Sequence, residues 1–196
     1  MDPVEDYFTL LTETLNRISR QQVWAVIDVL YRAWQSRKQI FLLGNGGSAA
    51  TASHMANDLN KFTIVPGKSR YKAIALTDNI PLMSAWANDH SYEYIFAEQL
   101  NNFVEPGDVV IAISASGNSP NVIRALETAR QFQAITIGFT GNEGGILKDL
   151  VDYCVFIPDP FIGRQEDGHM ILDHLMVRIL KGMIADEIEP SINRGG

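Results

Sequence analysis

The sequence predicts an α/β protein in which a five-stranded parallel sheet carries helices on both faces and two helices precede the first strand. Short apolar runs of strand length alternate with longer segments whose apolar residues recur every three or four positions. The runs are apolar almost throughout, which is typical of parallel strands buried on both faces. The length of 196 residues, with 46% hydrophobic and 20% charged residues, predicts one globular domain over residues 1–196.

The predicted domain has three parts. Residues 1–36 contain two amphipathic helices, at 4–20 and 22–36, and residues 37–188 form an α/β core that ends in a long helix. Residues 189–196 are expected to be a disordered tail. The core opens with a strand, a glycine turn and a helix, which is the start of a βαβ unit. Its predicted strands lie at 39–43, 72–76, 108–113, 134–139 and 153–157, and its helical segments lie at 48–61, between 80 and 103, at 120–131, near 145–150 and at 165–187.

The last helix carries apolar residues around most of its circumference, from Met170 to Ile188. A helix that is apolar nearly all round has to be buried on nearly all sides, and one sheet covers only one side. The remaining apolar surface indicates packing on the N-terminal helices or on another subunit. We therefore expect a homo-oligomer, with burial entirely within one chain as the alternative.

The charge balance and the single cysteine exclude several classes of protein. Sixteen Lys and Arg against 23 Asp and Glu give a formal charge of −7, and no stretch gathers five basic residues, which argues against a nucleic-acid partner. Cys154 cannot form a disulfide within the chain and is expected to be a small buried residue of a strand in a reducing compartment. The acidic N-terminus and the lack of an apolar run of roughly 18 to 20 residues predict a cytoplasmic protein without a membrane segment.

A glycine-rich segment at residues 44–49, here called the glycine loop, leaves the first strand and opens a helix. Its sequence is Gly44, Asn45, Gly46, Gly47, Ser48 and Ala49. Unpaired backbone N–H groups and the helix dipole favour an anion at such a position. The loop also fits the loose G-x-G-x-x-A pattern of a dinucleotide turn, but the first acidic residue after a second strand, Asp78, lies about 30 residues on rather than about 20.

A second segment at residues 114–120, here called the serine loop, follows another strand. Ser119 before Pro120 is a strong pair for the start of a helix. Three serine hydroxyls, a glycine and a helix N-terminus can enclose a compact dianion without a lysine, whereas a simple capped turn needs only one serine. Because neighbouring parallel strands end at one crevice, the two loops together favour a phosphorylated small molecule.

Titratable residues stand out on two of the predicted helices. His54 and Asp58 are four residues apart, so they share one helix face a turn below the glycine loop. His174 lies among apolar residues of the last helix, and Glu166 lies near its start. An isolated His–Asp pair four residues apart is also common as a surface ion pair or a helix cap. A buried histidine nevertheless needs a partner, which is usually a carboxylate or a metal.

The order of these motifs resembles the sugar isomerase (SIS) domain family. The glycine loop, His54 with an acid four residues later, the serine loop and the histidine-bearing last helix carry the resemblance, to which Asn88-Asp89 and Asn121 add. Within that family the chain looks most like the bacterial phosphoheptose isomerases, which convert sedoheptulose 7-phosphate to D-glycero-D-manno-heptose 7-phosphate. The resemblance implies a SIS-type sandwich over nearly the whole chain, a homotetramer and one zinc ion per active site.

The resemblance also implies residue roles. Asp58 and His174 would be the catalytic acid–base pair, and zinc would be held by His54, Asp58, Glu166 and His174. The implied substrate-binding residues are Asn45, Gly46, Gly47, Ser48, Asp89, Ser114, Ser116, Asn118, Ser119 and Arg164. The chain departs from the family pattern at four positions, where Asp58 replaces a glutamate, Glu166 a glutamine, Ala115 a common threonine and Gly163 a common aspartate.

The chemistry of isomerisation fits these residue types. Moving a carbonyl between C1 and C2 needs a base, an acid and stabilisation of an enediolate, and carboxylate and imidazole suit the first two tasks. Two histidines and two carboxylates also suit Zn²⁺, which polarises a carbonyl oxygen. The alternatives are an isomerase of another sugar phosphate, a noncatalytic SIS-domain adaptor that binds the replication initiator protein, and a nucleotide-dependent oxidoreductase. Asp58 argues against the adaptor. The lack of an acidic residue after a second strand, about 20 residues past the glycine loop, argues against the oxidoreductase.

Overall fold

Five strands form the sheet of the computed structural model, which describes residues 2–141, 143–188 and 190. The strands are β1 (Ile40–Gly44), β2 (Ala73–Ala75), β3 (Val109–Ser114), β4 (Ile135–Gly141) and β5 (Tyr153–Ile157). They lie in the order β2-β1-β3-β4-β5, and every neighbouring pair is parallel. The predicted five-stranded parallel sheet is confirmed, with each strand within a few residues of its expected position.

Helices connect the strands, and two more precede β1. The helices are α1 (Pro3–Arg17), α2 (Arg20–Gln35), α3 (Gly47–Lys61), α4 (Ile80–Asp89), α5 (Ala97–Phe103), α6 (Pro120–Gln131), α7 (Leu147–Leu150) and α8 (Ile162–Ile184), with a 3-10 turn at Tyr92–Tyr94. α1 ends before the predicted position 20 because Ile18 and Ser19 are extended and the Ser19 hydroxyl caps α2. Of the predicted tail at 189–196, all but residue 190 lies outside the described residues.

Each face of the sheet carries its own apolar core. Side chains alternate between the two faces along a strand, so Ile40 and Leu42 of β1 pack on one face while Phe41 and Leu43 pack on the other. The first core is shared with α2, α3 and α8, and the second with α5, α6 and α7. All four of these β1 side chains are fully buried. The strands are therefore apolar throughout because helices cover both faces.

The last helix is buried on one side only within the chain. Leu172, Met176 and Leu180 face the first core, whereas Ile171 and Leu175 are 39% and 42% exposed. The alternative that α8 is buried entirely within one chain is therefore wrong, whereas its burial by another subunit stays a prediction. The reason is that α2 and α3 cover the sides of α8 next to the sheet and leave the outer side to solvent.

Hydrogen bonds join α1 and α8 through the loop that follows β5. The buried carboxylate of Asp159 accepts hydrogen bonds from the Thr14 hydroxyl, from Arg164 Nε at 2.8 Å and from the backbone N–H of Phe161 at 2.8 Å. Burial by itself raises the pKa of Asp159, but these hydrogen bonds and the positive charge of Arg164 lower it to about 2. The start of α8 is thus fixed to the N-terminal helix.

Two smaller expectations concern Cys154 and membrane spans. Cys154 lies half-buried in β5, and burial together with the nearby Asp149 carboxylate raises the pKa of its thiol to about 12, which leaves it unreactive. Among the helices of the described ranges, none combines the length and the apolar character that a membrane crossing requires.

Candidate functional site

The glycine and serine loops lie where the chain changes direction across the sheet. From β1 the chain proceeds to the edge strand β2, whereas from β3 it proceeds to β4 on the opposite side. The helix after β1, α3, packs on the first core, and the helix after β3, α6, packs on the second. In a sheet of this order the diverging loops leave a crevice at the carboxyl ends of β1 and β3, which is the usual ligand position of such folds.

The two loops meet at a cavity of about 160 Å³. Its lining is Asn45, Ser48, Ile113, Ser114, Ala115, Ser116, Ser119, Ile162 and Glu166. Five of the residues predicted to bind substrate are among them. The lining offers four serine hydroxyls and two helix N-termini, and it contains no lysine or arginine. Dipoles and neutral donors therefore surround this cavity, with the Glu166 carboxylate at one side.

The glycine loop brings its backbone close to the cavity. Gly46 has a φ of +56° and lies directly before α3, where no side chain caps the helix. The first N–H groups of α3 have no carbonyl partner within the helix and remain available to an anion. A Cβ atom at Gly47 would lie 2.3 Å from Oε1 of Glu166. Glycine at this position therefore leaves room for the Glu166 carboxylate beside the loop.

The serine loop differs from a simple capped turn. Ser119 directly precedes α6 as predicted, but its hydroxyl makes no capping hydrogen bond and lies 3.4 Å from the Ser114 hydroxyl. Gly117 has a φ of +65°, and a Cβ there would lie 2.0 Å from the carbonyl oxygen of Gly144. The loop is thus held tightly against the segment after β4 while its hydroxyls face the crevice.

A pair of amides links the two loops. Asn45 and Asn121 exchange two hydrogen bonds of 2.9 Å between their side chains, and the Tyr92 hydroxyl donates to Asn45 Oδ1 at 3.1 Å. The positioning roles of Asn121 and Tyr92 were not foreseen, because neither residue type nor spacing reveals a contact between segments so far apart in the chain.

Five residues predicted to bind substrate lie outside the cavity lining, namely Gly46 and Gly47 of the glycine loop together with Asp89, Asn118 and Arg164. Arg164 is occupied by Asp159, and Asn118 fastens the serine loop by accepting from the N–H of Ile146 and donating to the carbonyl of Ser116. Asp89 ends α4 and accepts a hydrogen bond from Asn88. Their substrate contacts stay predictions.

Four side chains from α3 and α8 form a compact cluster, here called the histidine–carboxylate group: His54, Asp58, Asp173 and His174. Each offers one nitrogen or oxygen atom, and these atoms lie within 4.8 Å of one another. His54 Nε2 is 3.0 Å from His174 Nε2 and 3.6 Å from Asp58 Oδ2. Three of the four predicted metal ligands are thus together. Glu166 is not in the group, which contains Asp173 instead, and His174 is exposed rather than buried as predicted.

Asp173 was missed because it lies in an apolar stretch of α8 that reads as core. It is 1% exposed, and neither of its carboxylate oxygens has a hydrogen-bond partner within the described ranges. Burial, with the negative charge of Asp58 as a further cause, raises the pKa of Asp173 to about 7. A buried carboxylate beside two histidines is the type of group that accompanies a cation.

The cavity and the histidine–carboxylate group lie at different levels of the same two helices, and the seam between α3 and α8 is here called the groove. Gly47 faces Glu166, His54 faces His174, and Phe62 faces Lys181, so the two helices run side by side in the same direction. The seven-residue step from Gly47 to His54 and the eight-residue step from Glu166 to His174 correspond to about 10 to 12 Å of helix. The anion-binding end and the titratable end of the groove are separated by that length.

Comparison with known proteins agrees with this arrangement of loops. Residues 6–141 match the family model described as "SIS domain". The chain belongs to the SIS domain family. Among relatives of this SIS domain protein, the phosphoheptose isomerase of Crocosphaera subtropica is 40% identical over 149 residues, which are 76% of this chain and 75% of that protein. The phosphoheptose isomerase of Geotalea daltonii is 34% identical over 176 residues, which are 89% and 91% of the two chains.

A solved structure of the phosphoheptose isomerase from Neisseria gonorrhoeae superposes on this SIS domain protein with a TM-score of 0.84. The alignment has 27% identity and covers 91% of this chain and 97% of the other. The resemblance inferred from the loops and histidines is therefore confirmed, and within the family the chain groups with the phosphoheptose isomerases.

Proposed function

We propose that this protein is an aldose–ketose isomerase that interconverts sedoheptulose 7-phosphate and D-glycero-D-manno-heptose 7-phosphate through an enediolate. The observation that carries the proposal is the single groove between α3 and α8, which has a serine-lined cavity at one end and the histidine–carboxylate group at the other. The relatives that match over most of the chain are named phosphoheptose isomerases, which supports the same activity.

The phosphate of the sugar would occupy the cavity between the two loops. Ser48, Ser114, Ser116 and Ser119 each supply a hydroxyl there, and the N-termini of α3 and α6 supply backbone N–H groups and the positive ends of two dipoles. A hydrogen bond to a charged group contributes about 1.5 to 3 kcal/mol. Several such bonds hold a dianion without a basic side chain.

The length of the groove favours a seven-carbon sugar. An extended heptulose 7-phosphate reaches about 10 Å from C1 to phosphorus, whereas a pentulose 5-phosphate reaches about 7 to 8 Å. With the phosphate in the cavity, the longer chain better matches the rise of about 10 to 12 Å between the level of the loops and the level of His54 and His174.

Asp58 and His174 would move the protons of the reaction. The Asp58 carboxylate takes a proton from C1 of the ketose, and the electron pair forms the C1–C2 double bond of the enediolate. His174 donates a proton to the oxygen on C2 and takes one from the oxygen on C1, so that the carbonyl moves to C1. The proton held by Asp58 returns to carbon at C2. No atom or electron is gained or lost in the exchange.

The donor set of the histidine–carboxylate group fits a divalent ion, for which zinc is the natural choice. Two imidazole nitrogens and two carboxylates are a common zinc ligand set, and the buried oxygens of Asp173 lack any other partner within the described ranges. His54, Asp58 and His174 would hold the ion. When bound, the ion would polarise the carbonyl oxygen and stabilise the negative charge of the enediolate.

The proposed assembly is a homotetramer in the cytoplasm. The exposed apolar side chains on and beside α8 support a second copy as partner, since Phe161, Ile162, Ile171 and Leu175 are 39% to 57% exposed. These residues lie next to His174 and to the cavity, so a neighbouring subunit would also shield the groove from water. The alternatives are not favoured: an adaptor has no need of Asp58 beside His54, and the relatives named above are isomerases.

The experiment that tests the proposal compares ketose phosphates of different chain length. The purified protein is incubated with sedoheptulose 7-phosphate, fructose 6-phosphate and ribulose 5-phosphate, each with and without added zinc, and aldose phosphate is followed by NMR. We expect kcat/KM to be highest for the heptulose and to fall by at least about tenfold for each carbon removed. Equal turnover of the pentulose would disprove the length argument, and no turnover of any sugar would disprove the isomerase.

A further inference from the structure

We propose that Asp173, rather than Glu166, is the fourth protein ligand of the divalent ion in this chain. The resulting site has two histidines and two carboxylates, with His54 and Asp58 from α3 and Asp173 and His174 from α8. This inference rests on the metal of the proposed function and adds a residue that the resemblance to the family did not indicate. It also removes Glu166 from the metal site.

The positions of the atoms support this choice. Zinc–nitrogen and zinc–oxygen bonds of about 2.0 to 2.2 Å place the ligand atoms of a tetrahedron about 3.3 to 3.6 Å apart. The two measured separations from His54 Nε2, 3.0 Å to His174 and 3.6 Å to Asp58, are close to that range, and the Asp173 oxygen lies within 4.8 Å of all three atoms. The four atoms therefore lie close enough together to share one ion.

Glu166 lies at the other end of the groove. It precedes His174 by eight residues, or about 12 Å of helix. Its carboxylate lies over Gly47 and lines the cavity between the loops. To reach the histidine–carboxylate group, the side chain would have to leave this contact and extend along two turns of α8.

The burial of Asp173 gives an independent reason to expect a cation. The residue is 1% exposed, both of its oxygens lack a hydrogen-bond partner in the described part of the chain, and the nearest charged group that raises its pKa is another carboxylate, Asp58. An ionised carboxylate left in such surroundings costs several kcal/mol, which a bound cation offsets. His54 and His174 supply the two nitrogen atoms of the group.

The test measures zinc affinity without any sugar. Metal-free protein is titrated with zinc in competition with a chromophoric chelator, using the parent protein, Asp173→Asn, Glu166→Gln and the control Asp167→Asn. Asp167 lies on the same helix but accepts a hydrogen bond from Tyr7. We expect one zinc per chain, a loss of affinity of at least about tenfold for Asp173→Asn, and changes of less than about threefold for the other two. Parent affinity in Asp173→Asn, or an equal loss in Glu166→Gln, would overturn the proposal.

A cysteine at the same position reports coordination directly. Cysteine is close to aspartate in volume, so Asp173→Cys fits the buried position even if the amide variant folds poorly. Loaded with Co²⁺, Asp173→Cys should gain the near-ultraviolet charge-transfer absorption of a thiolate–cobalt bond, which neither the parent nor Glu166→Cys shows. Absence of that absorption in a protein that binds Co²⁺ would mean that residue 173 is not a ligand.

The failure of this proposal is distinguishable from the failure of the proposed function. If Glu166→Gln loses zinc and Asp173→Asn does not, Asp173 is excluded while the isomerase stands. If the parent binds no zinc but metal-free protein isomerises sedoheptulose 7-phosphate, the metal site is excluded and the activity is retained.

Discussion

Asp58 and His174 come from helices more than a hundred residues apart in the chain, yet both lie against His54. His54 Nε2 is 3.6 Å from Asp58 Oδ2 and 3.0 Å from His174 Nε2. The Asp58 side chain is 15% exposed, so it is largely shielded and still open to the groove. A base and an acid on one groove wall are the minimum for proton transfer through an enediolate, and each contributes typically about 10² to 10⁴ in rate.

We predict that Asp58→Asn and His174→Gln each lower kcat at least about a hundredfold in a folded protein, because each removes one proton-transfer group. Asp58→Glu should retain activity on the heptose phosphate or raise it, since it restores the longer carboxylate of the family pattern. Steady-state kinetics and circular dichroism measure both effects, with Asp167→Asn as the control. Turnover by Asp58→Asn at the parent rate would rule out the proposed base.

Ser119 tests the phosphate position. Its hydroxyl makes no capping bond to α6 and faces the Ser114 hydroxyl in the cavity. We predict that Ser119→Ala raises KM roughly tenfold to a hundredfold with little change in folding stability, because it removes a donor to the dianion and no helix cap. Ser36→Ala, at the far end of α2, is the control. An unchanged KM would place the phosphate elsewhere.

His169 is a buried histidine on α8, and a hydrogen bond with the backbone of Thr140 only partly offsets the effect of burial on its pKa. Burial lowers its pKa to about 4. Because the folded-state pKa lies below the ordinary value, the neutral ring contributes stability above about pH 6.5, and this is lost as the pH falls towards 4. The raised pKa of Asp173 has the opposite effect on the pH dependence of stability. The contribution of His169 is therefore measured as the difference between the parent and a variant that lacks this histidine.

Between pH 7 and pH 5, His169 should lower the unfolding free energy of the parent because this histidine resists protonation in the folded state. We predict that His169→Leu removes this contribution, which is about 2 kcal/mol. The measurement is urea unfolding of metal-free protein at both pH values and one protein concentration. Asp173 is present in both proteins, so its contribution cancels. An identical pH dependence in the two proteins would mean that His169 does not stay neutral in the folded state.

At the scale of the elements, α1 depends on one carboxylate for its attachment to the start of α8. Asp159 binds Thr14 of α1 and Arg164 of α8, and its pKa is lowered to about 2. A lowered folded-state pKa contributes stability above about pH 4 that is lost as the pH falls to 2, here about 2 kcal/mol.

We predict that Asp159→Asn lowers the unfolding free energy at pH 7 by about 2 to 3 kcal/mol, because Arg164 loses its partner in a largely buried position. Hydrogen exchange should increase first in α1. Thr14→Val, which removes one hydrogen bond only, should cost about 1 kcal/mol. Equal exchange in α1 of the parent and Asp159→Asn would show that α1 is held by apolar contacts alone.

The elements were predictable to the extent that they depend on local pattern. The strands were found because burial on both faces makes them apolar throughout, and α6 was found with its correct bounds because Ser119 and Pro120 mark its start. The break in the segment 80–103 was not resolved, since the 3-10 turn at Tyr92–Tyr94 depends on its packing against α6. Tertiary contacts decide such boundaries.

The candidate site was predictable where it consists of short motifs. The two loops, His54, Asp58 and His174 came from the sequence, whereas Asp173 did not, because an aspartate in an apolar helix has no pattern that distinguishes a buried ligand from a surface residue. Glu166 was placed with the metal by resemblance, and the structure places it at the loops instead. The spacing of residues in the sequence does not reveal which turn of α8 packs against which turn of α3, because the packing of the two helices decides this.

At the scale of the whole molecule, the exposed apolar side of α8 predicts self-association. Ile171 and Leu175 flank His174 and lie open in a single chain. We predict that Leu175→Glu converts the proposed tetramer into smaller species, because it places a charge in a surface that is apolar in the parent. Light scattering after size-exclusion chromatography measures the mass, with Gln131→Glu on α6 as the control. A parent that is monomeric at micromolar concentration would contradict this assembly.

The most direct test of the account follows the proton on C2. Sedoheptulose 7-phosphate is incubated with the purified protein in D₂O, and the aldose phosphate is examined by NMR. Proton transfer through Asp58 and an enediolate predicts heptose 7-phosphate with deuterium at C2, to an extent set by exchange of the carboxyl proton with solvent. The same incubation with Asp58→Asn should give product at a rate at least about a hundredfold lower. Failure to form any aldose phosphate, or an aldose whose hydrogen at C2 comes entirely from C1 of the ketose even after many turnovers in D₂O, would contradict the mechanism.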